Sequence, residues 1–101
     1  MRQIKELADH IRDELKDAEN YAKNSAHYAP SDSKLAGVYK QIAKQELDHV
    51  NMEHDEIVRL IKTAKDSGMV IPDAMQEILD CEHDRMLKEI AEVKTMLDMA
   101  D

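Results

Sequence analysis

Apolar residues recur at intervals of three, four and seven along almost the whole chain, which is the spacing of amphipathic helices. The pattern breaks at two places. In "YAPSDSK", Pro30 ends one helix and Ser31 or Ser33 caps the next. In "KDSGMVIPDAMQE", Gly68 is placed as a C-terminal stop, Pro72 forbids a continuing helix, and Asp73 with Gln76 resembles a capping box. Three helices follow, over about residues 2–28, 33–67 and 74–99. Their apolar stripes are Leu7, Ile11, Ala18, Tyr21, Ala22, Ser25 and Tyr28 in the first, then Leu35, Tyr39, Ile42, Val50, Ile57 and Leu60 in the second. The third carries Met75, Ile78, Leu79, Met86, Ile90, Val93, Met96 and Leu97. Short turns make neighbouring helices antiparallel, so the expected fold is all-α, an up-down-up three-helix unit in one domain over 1–101.

Composition narrows the function. A 101-residue chain has a thin core, so a second copy would help to bury its stripes and complete a four-helix bundle. With 43% hydrophobic residues the chain is too apolar to be disordered, and two glycines and two prolines suit helices. A net charge of −8 argues against nucleic acid and favours cations. One cysteine, Cys81, excludes an internal disulfide and a cysteine-built metal site. No run approaches the length of a membrane span, and the N-terminal segment lacks the form of a signal peptide, so a cytoplasmic protein is expected.

Charges interrupt the stripes at particular places. At about 100° per residue, Glu14 falls on the stripe of the first helix and Glu46 on that of the second, with His49 one turn beyond on the same side. Measured from a turn at Ser31, Glu14 and Glu46 lie at about the same height, offset by roughly 3 Å. A buried carboxylate needs a cation or a donor, and two carboxylates with an imidazole suit iron, manganese or zinc better than calcium or magnesium. The bland alternative is that these groups are solvated at a stripe edge. In the third helix, Glu89 comes level with residue 51 and is the better additional ligand. Glu82 falls about two turns away, near Ile57, where it could be a ligand only in a second layer or across an interface, and Arg85 offers it a plain ion-pair partner. Glu53 lies about 10 Å along the axis from Glu46, too far to share its ion. His10 reads as a solvated histidine near Glu14, Tyr21 and Tyr39 as packing residues, and Asp80 with His83 as an exposed pair. His27 and His54 carry no signal.

The segments "ELKDAENYAKNSAHY", which begins at Glu14, and "LAGVYKQIAKQELDHVNMEH", which contains Glu46 and His49, resemble the ferritin-like di-iron carboxylate superfamily. That superfamily includes the rubrerythrins and the short encapsulated ferritins. Its pattern is a glutamate on one helix and Glu-x-x-His on the antiparallel partner, repeated to hold two irons. The resemblance covers about residues 7 to 60. The second half-motif is missing, because neither Glu82 nor Glu89 has a histidine three residues on.

The resemblance implies iron as the metal, with zinc or manganese as alternatives, and a ferroxidase reaction with dioxygen or peroxide. It also implies that two copies of the hairpin, in a homodimer or higher homo-oligomer, assemble the di-iron centre. A single-chain site completed by Glu89 is the other arrangement. Mineral storage would need a compartment shell built by another component. Against these stand a non-catalytic, self-associating helical module and a purely structural metal site.

Overall fold

The computed structural model describes residues 2–99, and among them the regular structure is entirely helical: α1 (Arg2–Tyr28), α2 (Ser33–Asp66) and α3 (Asp73–Met99). The molecule is a rod with extents of 57 × 18 × 17 Å, a length set by the 34-residue α2 at about 1.5 Å per residue.

The turns obey local chemistry that differs in detail from the expected caps. Asp32, rather than Ser31 or Ser33, caps α2: its carboxylate accepts the Leu35 N–H at 3.0 Å. Leu35 is the third helical residue, the one whose free N–H an N-cap side chain reaches. Gly68 ends α2 as expected, with φ at +89°. Its N–H donates to the Lys65 carbonyl and the Met69 N–H donates to that of Ala64, both at 3.0 Å, so a Schellman motif closes the helix and glycine supplies the left-handed backbone. The capping box at Asp73 does not form. The Gln76 N–H bonds the Pro72 carbonyl, which makes Pro72 the cap and Asp73 the first helical residue, and the Gln76 amide reaches forward to Asp80 at 3.0 Å.

The most extensive packing is α1 on α2, followed by α3 on α1. Ala18, Ala22 and Ala43 are fully buried, and their size lets α1 and α2 approach closely. The buried Ser25 hydroxyl donates to the Ala36 carbonyl at 2.8 Å, which satisfies a polar group where the two helices meet near the turn. Ile4, Ile11 and Leu15 of α1, Leu47, Val50 and Ile57 of α2, and Met86, Val93 and Leu97 of α3 complete the core.

Several stripe positions shift by one helical face. Ile4, Leu15 and Leu47 are core residues outside the expected stripes, whereas Leu35, Tyr39, Ile42 and Leu60 are only half-buried and Ile78 is exposed. α2 therefore turns the face bearing Ala36, Ala43, Leu47 and Val50 to the core and leaves Leu35, Tyr39, Ile42 and Leu60 at the margin. α3 lies on one side of the hairpin: the clefts along it are lined by Ala8, Ile11, Arg12 and Leu15 of α1 and by Leu47, His54 and Val58 of α2. No described helix is long and apolar enough to cross a membrane.

Candidate metal centre

On the side of the hairpin away from α3, two rows run at intervals of seven. Leu7, Glu14, Tyr21 and Tyr28 form one on α1, and Tyr39, Glu46, Glu53 and Leu60 form the other on α2; all eight are half-buried. The rows interleave. Tyr39 stacks against both Tyr21 and Tyr28, with ring centroids 6.1 and 5.9 Å apart. In the same way Glu14 meets α2 between Glu46 and Glu53, and both act on its charge or that of its neighbour. Sevenfold spacing and alternate insertion are the features of a helix–helix seam. This one has tyrosines at one end, leucines at the other and three carboxylates in the middle.

Glu14, Glu46 and His49 converge. One ligand atom from each lies within 4.8 Å of the other two, and among the described residues this is the group of three or more ligand-bearing side chains close enough to share an ion. His49 Nδ1 stands 4.0 Å from Glu14 Oε1 and 3.9 Å from Glu46 Oε1, too far for direct hydrogen bonds and somewhat wider than the roughly 3.3 Å between ligand atoms around a tetrahedral ion, so small side-chain rotations would close the set on one. The carboxylates are 24% and 21% exposed and the histidine 54%, so the acids face inward and the imidazole sits at the mouth.

Glu53 is not among the three converging side chains, in keeping with its distance along α2 from Glu46. Interleaving brings it instead against Glu14 across the seam. Among the described residues nothing donates a hydrogen bond to the buried Glu14 Oε2 or Glu53 Oε2 unless one of the two acids is itself protonated. Burial, together with the hydrogen bond and the charge that Glu53 presents, raises the Glu14 pKa from 4.5 to about 7, against the opposing pull of His49 and His10. Two deprotonated carboxylates cannot hydrogen-bond each other, so that contact holds only with a proton between them. Burial and then the Glu14 charge also raise the pKa of Glu46. A site that pushes protons onto its acids when no cation is present fits a divalent ion, which would replace those protons and give the orphaned oxygens a partner.

The third helix does not bring Glu82 or Glu89 to this group. Glu82 is paired with Arg12 across α1 and α3, and Glu89 with Arg85 at 3.1 Å within α3. Both line the cleft on the far side of α1, beside Ile11 and Leu15. Height along the rod puts Glu89 level with residue 51, but α3 lies on the other side of the hairpin and carries it away from the group. Comparison with known proteins adds nothing to this geometry: no family model, curated protein or solved structure matches the chain.

Proposed function

We propose that this chain is a ferritin-like metal protein that takes up ferrous iron at Glu14, Glu46 and His49, with Glu53 as a further carboxylate, and oxidises it with dioxygen or peroxide. The observation that carries the reading is the convergence of two inward carboxylates and an imidazole, with the buried Glu14 and Glu53 oxygens given no donor by any other described residue. In this reading the chain is an up-down-up unit. A second copy covers the two interleaved rows, completes a four-helix bundle and contributes a second set of the same residues around two irons. The seam supports such a partner, because eight half-buried residues at sevenfold spacing lie on the face that α3 leaves open.

Each residue has a separable task. Glu14 would hold an ion together with Glu46 and, across the seam, Glu53. Glu46 and His49, one turn apart on α2, would supply an oxygen and a nitrogen to it. The exposed edge at His49 leaves room for the oxidant, and iron bound there would supply the one-electron chemistry that no side chain in the group can perform. The excess of 22 acidic over 14 basic residues draws cations toward the rod.

Anaerobic loading with ferrous iron followed by oxygen tests the proposal. A ferric absorbance should rise in the wild type and be lost in Glu46→Ala. An unchanged Glu46→Ala trace would remove the oxidase reading. A melting temperature that rises with metal, without any oxidation, would leave a purely structural site on the same residues.

A further inference from the structure

Away from the carboxylate seam, α2 and α3 face each other through two histidines. His54 Nε2 and His83 Nδ1 are 3.1 Å apart, with ring centroids 4.9 Å apart and planes tilted by 30°. We propose that this pair is a second, separate metal site: a two-histidine clip for a divalent transition-metal ion of the zinc, nickel or copper kind, joining α2 to α3.

The spacing is that of a chelate. Two nitrogens bound at about 2.05 Å to one ion stand about 3.3 Å apart at a tetrahedral angle and about 2.9 Å at a right angle. The observed 3.1 Å falls between these limits, so an ion can enter with little movement of either helix. The other nitrogen of His54, Nδ1, has the exposed Asp55 carboxylate 3.9 Å away, beyond hydrogen-bond reach but near enough to favour a cation at the pair. Asp80 precedes His83 by one turn and lines the same cleft of about 260 Å³; the Gln76 amide holds its Oδ1 at 3.0 Å. Glu82 also lines the cleft, but Arg12 already engages it.

Two imidazoles without a cysteine or a close carboxylate select borderline ions over magnesium or calcium. Water would complete the coordination, which fits a cleft that is open on one side and walled by Ile57, Ile61, Leu79 and Met86 on the other. The position gives such an ion a structural effect. The packing of α3 is chiefly on α1, so a bond from His83 to His54 would fasten its early turns to α2 as well.

Zinc binding to the full chain tests the clip in a His49→Ala background, where the carboxylate centre has lost its nitrogen. The His49→Ala protein should bind one zinc ion per chain and melt several degrees higher in its presence. Adding His83→Gln or His54→Gln, each of which keeps a polar side chain, should weaken that binding at least tenfold and abolish the shift. Equal binding and an equal zinc-induced shift with and without His83→Gln would overturn the proposal. So would a His49→Ala melt that ignores zinc, which would leave the pair as a plain hydrogen bond. Long-range proton–nitrogen NMR spectra of the wild type provide a check that needs no variant: zinc should move the His54 Nε2 and His83 Nδ1 signals, and unmoved signals would also overturn it.

Discussion

The two sides of α1 treat the same residue type in opposite ways. Toward α3, Glu82 and Glu89 are 29% and 27% exposed, and each has an arginine against it. Toward the open seam, Glu14 and Glu46 are 24% and 21% exposed, and the charges that act on them among the described residues are those of other carboxylates and of histidines. Burial alone does not separate the two sets, since all four carboxylates are about a quarter exposed. Neutralisation separates them. An acid with its own arginine has no need of an ion, whereas acids that press on one another and on a histidine have a charge left to satisfy.

The sharpest way to break this comparison is to remove one acid from each side. Glu46→Ala should weaken ferrous-iron binding by about 100-fold or more, measured by anaerobic titration, because it deletes a ligand rather than a supporting group. Glu89→Ala should leave that affinity unchanged. Equal losses in both variants would erase the distinction between the two faces.

The next effect is on stability and its pH dependence in metal-free protein. The native pKa of Glu14 lies above its unfolded value, so the native state binds more protons between pH 4.5 and about 7. Stability should therefore fall as pH rises through that window, and the raised pKa of Glu46 acts in the same direction. Glu14→Gln should flatten this slope and stabilise the metal-free chain at pH 8 by on the order of 2 kcal/mol, with little gain at pH 4.5. Urea unfolding with a chelator present, at a series of pH values, checks it. Glu53→Gln should give a smaller gain at pH 8, about 1 kcal/mol, and weaken iron binding by roughly tenfold, since it relieves the buried pair but removes one carboxylate.

The smallest effects should lie on the α3 side. Glu82→Ala and Glu89→Ala each break a partly exposed ion pair and should cost less than about 1 kcal/mol in thermal unfolding. A larger loss in Glu82→Ala would mean that the Arg12 pair, rather than the apolar contacts of Met86, Val93 and Leu97, holds α3 in place.

Much of this arrangement was legible in the residues. Pro30, Gly68 and Pro72 mark the breaks because their backbone restrictions act locally, and the helix limits differ from expectation by a residue at the end of α2 and the start of α3. Angle and height bring Glu14, Glu46 and His49 together, since both depend on the regular geometry of two helices joined by a short turn. Three features were not legible. Glu53 depends on which residues of α1 interleave with those of α2, and that half-step follows from the packing of Ala18, Ala22 and Ala43 rather than from periodicity. The remoteness of Glu89 depends on the side of the hairpin that α3 takes, and a single stripe per helix does not encode it. His54 lay outside the expected stripe of α2, so its approach to His83 could not be anticipated.

The central claim is that Glu14, Glu46 and His49 hold an ion that neutralises them. Native mass spectrometry of the wild type and Glu46→Ala after anaerobic exposure to ferrous iron measures iron per chain and chains per particle together. The account predicts a wild-type dimer, or a multiple of it, carrying one iron per chain, with that iron absent from Glu46→Ala. Iron-free wild type, or the same iron content in both proteins, would contradict it.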